Sequence, residues 1–302
     1  MQSKNYNKSM KNKKNKSKVK IKINKNNIPL FIFCLIIFLT GLGIFMYPFV
    51  SNMINRHNAS EAITDFDKQI ADMDKDDIDV IKQAAKEYNQ QLENAVLTGD
   101  EEKQSYKDIS GVDKVIGYIV IPKIDVNLPI YSGTSPEVLK KGAGHMQNSS
   151  YPLGGSGTHC VLTGHRGLPS AVLFTDLDKV EPGDEFYLHV LDEVLAYQVD
   201  KIKVVEPTEG TDLGIVEGKD YCTLVTCTPY AINSHRLLVR GTRVEYSEAH
   251  QNDEGKTQLQ SGSFTKRVVD VWPWLLIASV VILGAEAIIF IMIIRKGRKE
   301  KE

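Results

Sequence analysis

Two kinds of hydrophobic spacing divide the chain. From Ile28 to Val50, IPLFIFCLIIFLTGLGIFMYPFV, no residue is charged, and the run is long enough for a helix to cross a bilayer's roughly 30 Å of hydrocarbon. A second apolar run covers Val271 to Ile294. Between them, from Ser60 to Val96, apolar residues recur at steps of three and four: Ile63, Phe66, Ile70 and Met73, then Ile78, Ile81, Ala85, Tyr88, Leu92 and Ala95. That period predicts two amphipathic helices over 51–97, interrupted near Lys75 to Asp77. Thr98 to Gly111, TGDEEKQSYKDISG, is polar and predicts an exposed loop or lid.

Beyond Gly111 the pattern shortens into β-rich runs. These are Val115–Ile121, Asn127–Tyr131, Thr158–Thr163, Glu185–Val190, Val194–Val205, Tyr221–Thr226 and Arg236–Tyr246, separated by turn signals such as Leu153-Gly154-Gly155 and Pro182-Gly183-Asp184. Pro136–Lys141 and Leu168–Asp176 are brief helical candidates. Many short strands with few helices between them predict a mostly β domain, a barrel or a sandwich, over 112–248. Residues 249–270 read as a polar linker.

Composition changes this picture through its asymmetry. The whole chain of 302 residues has a formal net charge of -1, which makes no case for nucleic-acid binding. Residues 1–27, however, carry ten lysines from Lys4 to Lys25 and no acid, a composition that reads as a disordered cytoplasmic tail. A cleavable signal peptide competes with a retained anchor at Ile28–Val50, but its apolar region would be about 7–15 residues long and would end at a small-residue cleavage site. FMYPFVSNM offers none. The second run has Trp272 and Trp274 at its entrance and Arg295, Lys296, Arg298 and Lys299 at its exit in the tail 295–302. Interfacial aromatics and cytoplasmic bases fit a second span over 271–294, against which Glu286 counts. Two spans with basic ends inside leave 51–270 outside the cell.

The chain has four cysteines. Cys34 falls in the first span and needs no chemistry. Cys227 closes the run YCTLVT and precedes Thr228-Pro229, a strand's mouth, while Tyr221, Thr223, Val225 and Cys227 share one face and Cys222 takes the other. His165 follows another strand between Gly164 and Gly167, which free the backbone to turn. Arg236 opens the next strand after a loop long enough to return it over Cys227. A sulfur nucleophile needs access, a route to the thiolate and donors for an oxyanion, and these residue types supply them. The competing reading makes them a small core hydrophobe, a loop histidine and a surface ion-pair arginine. Cys160 and Cys222, each five residues before one of this trio, read as two free buried thiols rather than a disulfide. Histidine spacing suggests no metal site, and Asp176, Asp178, Glu181 and Asp184 read as a solvated turn. No cofactor-binding loop appears.

TLVTCTPYAINSHRLLVRG resembles the Thr-Leu-x-Thr-Cys motif and downstream arginine of the sortases, and THCVLTGHRGLPSAVLFTDLDKVEPGD resembles their histidine segment. The details Cys-Thr-Pro-Tyr, Asn-x-His-Arg and Gly-His-Arg-Gly-Leu-Pro are most similar to class C members, which polymerise pilins. The resemblance covers Val115 to Tyr246. It implies an eight-stranded barrel with N-terminal helices and two flanking transmembrane helices, with Cys227 as nucleophile, His165 as proton donor and acceptor, and Arg236 as donor to substrate and intermediate. It further implies a substrate with a Leu-Pro-x-Thr-Gly-like motif, a thioacyl intermediate, a pilin lysine amine as acceptor, no cofactor, and a place on the extracytoplasmic face of a Gram-positive cell membrane. Attachment of surface proteins to peptidoglycan is the rival within the family, and a non-catalytic adhesin the rival outside it.

Class C lids carry Asp-Pro followed by an aromatic, and Thr98 to Gly111 has no such tripeptide. Tyr106 and Asp108 are the nearest chemical substitutes, with an ordinary loop as the competing reading. If either covers the site, its replacement by alanine should speed alkylation of Cys227 in a thiol-labelling assay; unchanged rates would remove the covering role.

Overall fold

The computed structural model describes residues 28–98 and 114–247. The second expected span with Glu286, the basic tails and the lid residues Tyr106 and Asp108 lie outside the described residues. Two compact units are distinguished, one containing residues 28–44 and the other residues 45–98 and 114–247 of the described chain.

Helix α1 runs without interruption from Ile28 to Ala71, so the expected boundary at residue 50 is a change of surface rather than of backbone. Leu30, Phe33, Ile36, Ile44 and Phe49 are exposed along its apolar part, whose mean hydropathy reaches 2.3, whereas Ile63 and Phe66 further on are buried. The break expected at Lys75–Asp77 falls instead at Asp72–Asp74. Lys75 begins α2 (Lys75–Thr98), and Asp76 and Asp77 occupy its first turn. Carboxylates are favoured at a helix N-terminus and disfavoured at a C-terminus, so the acidic run closes α1 early and opens α2.

Eight strands form one closed barrel: β1 (Val115–Ile121), β2 (Val126–Ser132), β3 (Ala143–His145), β4 (Thr158–Thr163), β5 (Glu185–Val190), β6 (Glu193–Val205), β7 (Asp220–Thr228) and β8 (His235–Val244), in the spatial order β1-β2-β3-β4-β7-β8-β6-β5. Pairs β2–β3 and β4–β7 are parallel and the others antiparallel. Seven strands coincide with the runs read from sequence. The eighth, β3, has only three residues, Ala143-Gly144-His145, too few to show alternation. The helical candidate at Pro136–Lys141 forms α3 (Pro136–Leu139), capped by Ser135, whose hydroxyl accepts from the Val138 N–H at 3.3 Å. The candidate at Leu168–Asp176 does not form a helix. Its turns include Leu173 at φ 44°, a left-handed residue that no α-helix accommodates, and only Leu177–Lys179 makes a single 3₁₀ turn.

The barrel interior is filled from alternate positions: Ile119, Ile121, Leu162, Phe186, Leu188, Tyr197, Leu224 and Val239 are all fully buried. Phe186 stacks on Tyr197 at 5.5 Å. Outside the barrel, Ile63 and Phe66 of α1 pack on Tyr118, Val120 and Tyr187, and Ala85 and Tyr88 of α2 join the main core.

One polar clamp fixes α2. The buried Asn89 accepts the Tyr151 N–H at 2.6 Å and donates to the Tyr151 carbonyl at 3.1 Å. Asn89→Ala strips both partners from a buried peptide group and should cost of order 2 kcal/mol. Chemical denaturation of the full-length chain checks this through a lower midpoint at unchanged slope.

Candidate active site

The ladder β4–β7–β8 sets the site. In the parallel pair Thr163 lies opposite Val225. Two bonds extend the pairing beyond the end of β4: Gly164 N–H donates to the Val225 carbonyl at 3.0 Å, and the Thr226 hydroxyl donates to the Gly164 carbonyl at 2.8 Å. Continued by two residues, that register would set His165 opposite Cys227. On the other flank Cys227 pairs directly with Arg236, a relation that places Cβ atoms about 4.5–5.5 Å apart.

Face is decided by parity. Cys160, Leu162, Cys222, Leu224, Leu237 and Val239 belong to the interior cluster, while Val161, Val225 and Leu238 form a separate cluster on the outer face. Cys227 and Arg236 share the outer parity, and so does His165 by the same count. Cys227 and Arg236 are thus a direct pair at one end of the barrel's outer surface, His165 follows two residues after the end of the neighbouring β4, and all three are half-buried. Cys227 belongs to β7 itself, since the strand continues to Thr228. The Arg236 guanidinium donates to the carbonyls of Asn233 at 3.2 Å and His235 at 3.0 Å. Among the described residues, no hydrogen bond joins the three side chains to one another.

The glycines flanking His165 act differently from each other. Gly167 has φ +73°, the left-handed turn that glycine permits. Gly164 has ordinary φ, but a Cβ there would stand 2.6 Å from the Phe174 ring, so it serves close approach. Phe174 in turn donates its N–H to the His165 carbonyl at 3.1 Å.

Arg166 is a site residue that sequence reasoning passed over. Its guanidinium is nearly buried, donates from Nη1 to the Thr228 hydroxyl at 3.1 Å and from Nη2 to Asp178 at 2.5 Å, and lies 6.0 Å from the Tyr230 ring centroid. It ties the histidine loop to the residue after Cys227. Asp178, exposed to solvent as a turn residue, is therefore also an ion-pair partner. The other three acids pair with lysines, Asp176 with Lys179 at 2.9 Å and Glu181 and Asp184 with Lys123 at 3.8 and 3.4 Å. The available signal was an arginine beside the histidine on a strand end, which must find an acid if it is buried.

Burial, and then the nearby Lys140 charge, hold the His165 imidazole below its ordinary range, so the neutral ring dominates at neutral pH. Cys160 and Cys222 stand opposite each other on β4 and β7 and are free, buried thiols. Among the described residues, no group of three or more histidines, cysteines and acids is arranged to hold a metal.

The sequence signature of the sortase domain matches residues 119–244. Sortase D of Bacillus subtilis is 31% identical over 145 residues, which are 47% of this chain and 69% of that protein. The chain belongs to the sortase family. Sortases are cysteine transpeptidases of Gram-positive surfaces, and the solved neighbours place this one with class C. A lid mutant of Streptococcus agalactiae sortase C1 is 44% identical, covering 62% of this chain and 99% of that one, with a TM-score of 0.59. Clostridium perfringens sortase C, solved with the C-terminal cell wall sorting motif, is also 44% identical, covering 62% of this chain and 100% of that one, with a TM-score of 0.58.

The electrostatics of this sortase's histidine can be tested directly. Lys140→Gln removes a cationic neighbour, which makes the imidazolium easier to form. The His165 ring should then titrate at higher pH than in the parent, followed by histidine chemical shifts across a pH series.

Proposed function

We propose that Cys227 is the nucleophile, His165 the proton carrier and Arg236 the oxyanion donor of a transpeptidation that joins pilin subunits. The observation that supports this reading is strand register: Cys227 pairs directly with Arg236, and His165 follows the end of β4, whose last residue Thr163 lies opposite Val225 two residues before Cys227. As the Cys227 sulfur attacks the threonine carbonyl of a Leu-Pro-x-Thr-Gly-like motif, the neutral His165 ring takes the thiol proton, and Arg236 stabilises the oxyanion. As the intermediate collapses, the Thr–Gly bond breaks and the departing glycine amine takes a proton from His165. A thioacyl enzyme remains.

The second half reverses the proton's path. The ε-amine of an acceptor lysine attacks the thioester, His165 accepts a proton from that nitrogen, and the sulfur leaves as thiolate to recover its proton. One amide replaces another, so the exchange needs no nucleotide. The likeness to a sortase C1 described as that of a pilus island favours a pilin lysine over a peptidoglycan amine as acceptor, and the sorting motif in the structure of the Clostridium perfringens enzyme favours the proposed donor. Ile28–Val50 serves as the anchor that keeps the barrel outside the membrane.

The reading predicts that Cys227→Ala loses cleavage and transfer completely, while the parent incubated with a sorting-motif peptide gains one acyl mass on Cys227 in mass spectrometry. A pilin domain should be incorporated in preference to a wall-precursor analogue. Undiminished cleavage without the sulfur would sink the mechanism, and preference for the precursor would transfer this sortase to wall anchoring.

A further inference from the structure

His165 is framed by its own loop on one side and by Lys140–Gly142 on the other, because β3 runs antiparallel to β4 with Gly144 opposite Thr163. Both framing segments are hydrogen-bonded to α1. The Asn52 carboxamide oxygen accepts the Val172 N–H at 3.1 Å, two residues before Phe174, whose own N–H holds the His165 carbonyl. The Asn55 carboxamide nitrogen donates to the Lys140 carbonyl at 2.9 Å. Spaced by three, the two asparagines lie on one face of the helix, as neighbouring turns require. Arg56 beside them reaches Asp125 at 3.3 Å.

The helix does not lie flush against the Val172 segment. A cleft of about 250 Å³ opens between α1 and residues 125–128 and 172–173, with Asn52, Asn55, His57, Asp125, Leu128 and Leu173 in its lining. Close packing transmits position through a protein interior, and an open cleft does not. Where the two surfaces stand apart, the hydrogen bonds at the rim take over that task.

We propose that Asn52 and Asn55 are positioning residues for the transfer reaction, fixing from the first turn of α1 beyond its apolar stretch the two segments that frame His165. The helix that carries the apolar stretch then also sets where the ring stands relative to Cys227. The inference rests on His165 being the proton carrier. It also assigns the two asparagines opposite duties, Asn52 as acceptor and Asn55 as donor, and this asymmetry makes it testable.

The full-length chain in detergent micelles is compared with Asn52→Leu, Asn52→Asp, Asn55→Asp and His165→Ala. Asn52→Leu loses the acceptor, and Asn55→Asp replaces the donor by a carboxylate facing a carbonyl. Both should lower kcat on a sorting-motif peptide on the order of tenfold, the scale on which small misplacements of reacting groups act, with KM unchanged and the His165 ring resonances displaced. Asn52→Asp keeps the acceptor and should recover most of the rate. The proposal is overturned if His165→Ala is inactive while the asparagine variants keep parental kcat and His165 resonances. It is equally overturned if Asn52→Leu and Asn52→Asp lose rate alike in proportion to lost thermal stability. Full transfer by His165→Ala would instead overturn the reading of the site, and this inference with it.

Discussion

Everything chemical in this protein depends on strand register. The proposed nucleophile Cys227 and the Arg236 guanidinium lie nine residues apart on paired strands, the proposed proton carrier His165 lies 62 residues before Cys227, and the parallel pairing of β4 with β7 and the antiparallel pairing of β7 with β8 bring their segments together. That register is enforced from the other side of the sheet. Leu162, Leu224 and Val239 fill the interior, and a slip of one residue would turn each of them outward and Cys227 inward. The hydrophobic core is therefore the device that aims the site, and stability and catalysis share one cause.

A ladder sets this pairing but does not by itself hold its ends, where strands fray into loops. Here polar ties take over. Thr226 holds Gly164, Phe174 holds His165 and Arg166 spans to Thr228 and Asp178. A buried guanidinium between two partners is costly to assemble and more costly to break, so its energetic yield in stability is small compared with the geometry it imposes. Burial has a second effect at the same place. It keeps His165 mostly neutral near neutral pH, the state in which an imidazole can accept a proton.

Legibility in the sequence followed the same division. The seven longer strands could be read because β-rich runs of six or more residues stand out between turn signals, and Cys227, His165 and Arg236 could be picked out as candidates because their strand-end positions and flanking motifs are local. The three-residue β3 carried no periodic signal. The helix expected at Leu168–Asp176 failed because its apolar residues serve a loop: Phe174 covers Gly164, and Leu173 lies in a left-handed turn. Arg166, Asp178, Asn52 and Asn55 were hidden for a different reason. Each works through a partner between 12 and 120 residues away, and a pairing of that kind has no signature in either residue alone.

The contrast among the cysteines shows why position rather than residue type decides the chemistry. Cys160 and Cys222 sit one beside the other on β4 and β7, five residues before His165 and Cys227, yet their odd offset turns them into the barrel. Burial pushes both thiols toward the protonated form, and their mutual hydrogen bond, with His145 beside Cys160, makes Cys160 the more acidic of the two. A thiol with a favourable partner but no path to a carbonyl performs no acyl transfer. Cys227 has the reverse endowment: no bond to His165 or Arg236, but an open face. Solvent access in this barrel is thus assigned by the parity of a strand: the alternation that turns Cys160 and Cys222 into the core leaves Cys227 half-buried at the rim.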